Sequence, residues 1–125
     1  MDKDTNKELM ELAERILQEW EQCPLFKDRS SKTIYESYNG QISALGVSIL
    51  MIGLKPTIAV YYQDEPKQGE AHRRCLLEVI AKMLGYDDLE SLVRSILAST
   101  TEEMKTEIIN CSVALKQVIR TYKLG

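Results

Sequence analysis

The chain has 125 residues, 44% of them hydrophobic and 28% charged, with a formal net charge of −3. Those values fit one globular domain of ordinary size, here residues 1–125 as a single helical domain, and exclude a disordered chain. The slightly acidic total also excludes a globally basic surface for nucleic acid or anionic lipid.

The charge is unevenly spread. Residues 1–22 hold seven acids and three bases, whereas the last 21 residues hold four bases and one acid. The C-terminal part can therefore present a local positive face. The three cysteines, Cys23, Cys75 and Cys111, form no CxxC pair. They read as reduced core thiols of a cytoplasmic protein. The acidic, polar start does not read as a signal peptide.

Residues 4–22 predict an amphipathic helix. Leu9, Leu12, Ala13, Ile16 and Trp20 follow the three-and-four spacing of one face, and Pro24 ends it. Asp28, Ser30 and Ser31 offer caps for a second helix over about 31–52. Its face carries Tyr35, Tyr38, Ile42, Leu45, Ile49 and Ile52, and a second apolar face carries Val47, Leu50 and Leu54. No charge falls between Glu36 and Lys55, so this helix is expected to be buried nearly all round at the centre of the fold. Asn39-Gly40 is also a hairpin-turn signal; inside a helix, Gly40 is tolerable where close packing uses it.

The stretch Ser48–Tyr62 admits three readings: a membrane span, a hairpin, or two helices broken at Gly53 and Pro56. Ile42–Tyr62 is 21 residues, nominally long enough to span, but it carries Lys55-Pro56 and lacks a flanking basic cluster. A lone hairpin would find no third strand. The favoured reading is a helix stop at Gly53 and a short helix from Pro56 to about Tyr62, although Ile58, Val60, Tyr61 and Tyr62 prefer strand. Asp64–Gly69 reads as a loop, followed by a helix over about 70–84 and a Gly85 stop. Asp87 with Glu90 predicts the cap of a short fifth helix. Thr100 with Glu103 predicts the cap of a last helix over about 101–122. The sum is an all-α, compact bundle of five to six helices around a buried central helix.

The order of these features resembles the small all-helical subunit of CRISPR type III-B (Cmr) effector complexes, the fifth-numbered Cmr subunit family. The resemblance rests on Tyr38–Asp64, with Gly53, Leu54, Thr57, Ile58, Ala59 and Val60 in the family's Gly-Leu and small apolar positions. It rests also on the capped last helix, with Ala114-Leu115 and Ile119-Arg120, and on the acidic opening helix.

It implies a non-catalytic subunit that stacks along a ribonucleoprotein filament beside guide and target RNA. Its partners would be other Cmr subunits, copies of itself and the two RNAs, with no membrane, cofactor or small-molecule substrate. The absence of a Walker-type loop, an HxxxH or a GxSxG motif agrees.

From spacing alone, Lys32, Lys55, Arg73, Arg74, Lys116, Arg120 and Lys123 are the candidate RNA-phosphate contacts. Lys116, Arg120 and Lys123 stand at i, i+4 and i+7 and would share one helix face. Tyr61, Tyr62 and Trp20 read as packing residues and His72 as a surface residue. Glu11, Glu14 and Asp87-Asp88 read as a solvated face and a cap rather than metal ligands. A helical adaptor that binds only protein, and the small subunit of the related type III-A complexes, remain as rival readings.

Overall fold

The structure, a computed structural model, describes residues 1–64 and 71–125. Among the described residues it contains six helices and a minute sheet in the order α1 (Lys3–Glu19), β1 (Phe26–Asp28), β2 (Thr33–Ile34), α2 (Ser37–Ile52), α3 (Leu54–Gln63), α4 (Arg73–Met83), α5 (Leu89–Ala98), α6 (Glu102–Ile119) and β3 (Lys123–Leu124). The all-helical bundle is as the periodicity implied. Beyond Asp64, the loop expected over 64–69 lies outside the described residues, as does Glu70, where the next helix was expected to begin.

The helix at the centre is α4 rather than α2. Seven of its eleven residues are buried: Cys75, Leu76, Leu77, Val79, Ile80, Ala81 and Met83. It touches all five other helices. The second helix packs on α6 and α3 and buries one stripe, Tyr38, Ile42, Leu45 and Ile49. Its other apolar side is open to solvent. The core is already filled from α4 and α6, so the extra apolar surface of α2 has no place inside this chain.

Capping chemistry fixes several boundaries. The Asp2 side chain accepts the Thr5 N–H at 2.7 Å, which starts α1. Asp88, one residue later than expected, accepts the Ser91 N–H at 2.7 Å. Thr101, not Thr100, accepts the Met104 N–H at 3.0 Å. Thr100 is otherwise engaged, its hydroxyl donating to the Ile96 carbonyl at the end of α5. Gly53 joins α2 to α3 at φ 97°, ψ 165°. The positive φ was expected there, but the extended ψ belongs to a region that glycine alone enters cheaply.

From Gly53 the chain re-enters helix, despite the strand preference of Ile58–Tyr62. Leu54, Thr57, Ile58 and Tyr61 are buried at helical spacing. The Thr57 hydroxyl meets that of Ser48 at 2.8 Å, and the Tyr61 hydroxyl donates to the Gln41 carbonyl at 2.7 Å. Tertiary burial outweighs intrinsic propensity here.

The second helix begins at Ser37 and not near Ser31, because the preceding residues form a sheet. β1 pairs antiparallel with β2, and β2 pairs parallel with β3. The Glu36 N–H donates to the Gly125 carbonyl and the Gly125 N–H to the Ile34 carbonyl, both at 3.0 Å. Asp28 and Ser30 build the turn instead of a helix cap, with Asp28 accepting from the Ser30 N–H and hydroxyl.

Gly40 sits inside α2, exposed, with open space where a Cβ would stand. No packing requires it, contrary to the condition set by the sequence. Gly40→Ala should therefore raise stability by about 0.5–1 kcal/mol, read as a higher denaturation midpoint. No helix among the described residues is long and apolar enough to cross a membrane.

His72 is buried rather than on the surface. Its N–H donates to the Tyr38 hydroxyl at 3.1 Å, and its Nδ1 lies 3.9 Å from Asp64 Oδ1. The three cysteines are free and buried. Loss of hydration pushes the Cys23 thiol up to about 11 and the Cys111 thiol up to about 12.

Glu78, half-buried on α4, has a raised pKa, chiefly through lost hydration, with Glu90 raising it further and Arg74 and Lys82 opposing. A carboxyl raised in the folded state binds a proton there that the unfolded chain has released. Its contribution therefore falls as pH climbs from the ordinary carboxyl range through the folded pKa. Glu78→Gln should leave stability at pH 7 unchanged or higher and flatten that part of the profile, as read by chemical denaturation across pH 4–7.

Candidate nucleic-acid interface

The seven candidate cations fall into two groups, with Lys55 apart from both. The first stands where α3 meets α4. Arg74 donates its Nε–H to the Tyr62 carbonyl at 2.6 Å and lies over the Tyr62 ring, 4.3 Å from its centre. Arg73 offers its backbone N–H to Asp64 Oδ2 at 2.8 Å, and its guanidinium lies 3.7 Å from the same oxygen. Asp64 thus places a carboxylate at the positive end of α4. Both arginines tie α4 to α3. Arg73 remains exposed, whereas Arg74 is half-buried. Lys55, in the first turn of α3, is exposed.

The second group stands at the end of α6. Lys116 is half-buried and Arg120 exposed. The helix stops at Ile119, so Lys123 is not on a shared helical face with them; it begins β3. The sheet nevertheless supplies a neighbour that spacing did not show. Lys123 pairs with Thr33, beside Lys32. Arg120 reaches across to the first turn of α2, where its Nε–H donates to Asn39 Oδ1 at 2.9 Å. Lys32, Arg120 and Lys123 therefore gather where α6 ends and the sheet begins, with Lys116 one turn back along the helix.

Sequence reading missed Arg29. Its guanidinium donates to three carbonyls at the end of α1: Trp20 at 2.8 Å, Leu17 at 3.2 Å and Gln18 at 2.7 Å. It closes a helix that has no basic residue in its own last turn. No local pattern marks it, because donor and acceptors come from different elements. Of the aromatics, Tyr61 is buried as expected. Trp20 packs against the core at its edge, with the Lys82 ammonium 4.5 Å from its ring.

The most prominent surface feature is apolar. On α2, Val47, Leu50, Met51 and Ile52 are exposed, Leu50 to 67% and Met51 to 78%, and Val60 of α3 is exposed as well. Val47, Leu50 and Met51 share one helix face. A groove of about 200 Å³ between α2 and α6 continues this surface, with Val47, Leu50, Ile109 and Val113 as apolar walls and Lys116 at its edge. Scattered exposed hydrophobics need no explanation, but a contiguous set of this size marks an interaction surface.

No curated protein and no solved structure matches the chain. The family model described as CRISPR-associated protein (Cas_Cmr5) matches residues 5–121. The match runs from the first turns of α1 past the end of α6, over the elements that carry the resemblance. The chain therefore belongs to the CRISPR-associated protein (Cas_Cmr5) family, the small subunits of CRISPR type III-B Cmr complexes.

Proposed function

We propose that the chain is a non-catalytic structural subunit of a cytoplasmic Cmr ribonucleoprotein. In this reading it works as one helical domain. It stacks along the filament through its apolar α2 face, against other Cmr subunits and copies of itself, and touches the backbone of guide and target RNA. The observation that carries it is the exposed apolar face Val47, Leu50 and Met51 of α2, continued by the α2–α6 groove. That face is surface kept for another protein.

The RNA contact is assigned to the α6 end, Lys116, Arg120 and Lys123 with Lys32, and secondarily to Lys55 and Arg73. Arg74, whose Nε–H is held by the Tyr62 carbonyl, can offer a phosphate only its remaining guanidinium donors. Phosphate contacts of this kind are indifferent to sequence, which suits a complex whose base pairing already reads the target. A free chain of net charge −3 should bind RNA weakly, and several copies on one strand would multiply the contacts.

The test is simultaneous charge reversal of Lys116, Arg120 and Lys123 in the reconstituted complex. Three lost phosphate contacts per copy should weaken target-RNA binding at least about tenfold and reduce the salt slope by about 2 per copy. Unchanged affinity and slope in a fully assembled complex would exclude this face and leave a protein-only adaptor as the better reading.

A further inference from the structure

At the sheet end of the molecule the structure forms a pocket of about 250 Å³ between α1, the hairpin and the end of α6. Two half-buried aromatic rings line it. Phe26 and Tyr122 stand edge to face, 5.5 Å between centres and 80° between planes. The Arg29 guanidinium lies over Phe26 at 5.1 Å, and its hydrogen bonds to α1 hold it there. Lys32 lines the pocket; Lys123 follows Tyr122 and pairs with Thr33, outside the lining.

Two cations, Arg29 and Lys32, line the pocket. The Asp28 carboxylate is turned into its own loop by the Ser30 N–H and hydroxyl. Glu14 acts on the Tyr122 hydroxyl from α1, so the side of the pocket open to a phosphate is that of Arg29 and Lys32. Lys32 has φ 55°, alone in that region among the described non-glycine residues. A glycine would sit there at lower cost, so the position holds a lysine despite the backbone and not because of it.

We infer that this pocket takes one unpaired base of an RNA strand, stacked against Tyr122 with Phe26 as its wall, while Lys32 and Lys123 take the flanking phosphates. Aromatic platforms with adjacent cations are how proteins hold single-stranded nucleic acid without reading its sequence. The volume lies below that of drug-sized sites, about 300–1,000 Å³, which suits a single flat ring and not an extended ligand. The inference rests on the RNA-contacting reading above and adds to it a stacking contact and the strand state recognised.

The test uses the assembled complex, loaded with a uridine-rich target that leaves unpaired nucleotides. Ultraviolet crosslinking followed by peptide mass mapping should place a crosslink at Tyr122 or Phe26. Tyr122→Leu, with folding checked by thermal melt, should weaken retention of the unpaired strand about tenfold. Lys32→Gly removes the ammonium while suiting the positive φ, and should lower the salt slope by about 0.7 per copy.

Crosslinks confined to other parts of the chain, or wild-type retention by folded Tyr122→Leu, would overturn the pocket. If reversal of Lys116 and Arg120 then still weakened binding, the RNA-contacting reading would survive without it. If neither change nor the lysine variants altered RNA binding, both would fall. Should Tyr122→Leu not fold, the crosslink map and Lys32→Gly decide the matter.

Discussion

Leu50→Glu combined with Met51→Glu should leave the isolated chain folded and remove it from the Cmr complex. Both side chains are mostly in water already, so replacing them costs the fold little; surface changes of this kind usually stay within about 0.5 kcal/mol. In an interface the same changes bury two unpaired carboxylates against apolar partners. Desolvating even one such charge costs several kcal/mol, so the loss should exceed about a hundredfold in affinity. Co-purification of the variant with the other subunits reads the effect, and its unaltered thermal melt shows that folding is not the cause. Retention of the variant at wild-type levels would move the docking surface elsewhere.

The second large effect lies in the core. Tyr38 is fully buried, and its hydroxyl accepts the His72 N–H at the start of α4. Burial pushes the Tyr38 phenol pKa up, so it remains neutral. It joins α2 to α4 in two ways, by ring packing and by hydrogen bonding of its hydroxyl with the His72 N–H and the Cys75 thiol. Tyr38→Ala removes both and should destabilise the fold by about 3–5 kcal/mol. Tyr38→Phe keeps the ring and withdraws only the hydroxyl from the His72 N–H and the Cys75 thiol, for about 1–3 kcal/mol. The difference between the two variants, measured by urea denaturation, separates packing from hydrogen bonding. Equal losses would mean that the ring contributes little.

Much of the helical architecture was legible because the apolar stripes are long and regular. Leu9 to Ile16 in α1 and Ile108 to Val118 in α6 repeat at helical spacing over several turns. Cap positions were legible only to within a residue. Asp87 and Asp88 are chemically equivalent caps, as are Thr100 and Thr101. What chooses between them is the burial of Leu89 in one case and the engagement of Thr100 with Ile96 in the other. Neither contact is written in the local sequence.

The sheet was not legible. Strands of two and three residues show no alternation, and β2 finds one of its partners at Lys123–Leu124, far along the chain. That same pairing brings Lys32 beside Lys123 and sets Phe26 against Tyr122, so the stacking pocket was invisible with it.

The reading of α2 failed for a different reason. An all-round apolar helix shows that its surface avoids water, but not whether the cover comes from its own chain or from another. Val47 and Leu50 were taken for core and are instead, with Met51, the surface assigned to assembly. His72 was misplaced because its burial is made by Tyr38, which lies in another helix. Of the candidate cations, spacing put Lys116, Arg120 and Lys123 on one helix face, whereas α6 stops at Ile119 and Lys123 begins β3. Spacing could not show that the guanidinium of Arg74 is held by Tyr62.

The central claim is that this chain works inside an RNA-containing Cmr assembly. It is tested most directly by purifying the tagged chain from cells that express the whole system and identifying what comes with it. The account predicts other Cmr subunits together with guide RNA, and their joint loss in the Leu50→Glu, Met51→Glu variant. Recovery of a single protein partner without RNA, unaffected by that variant, would contradict it.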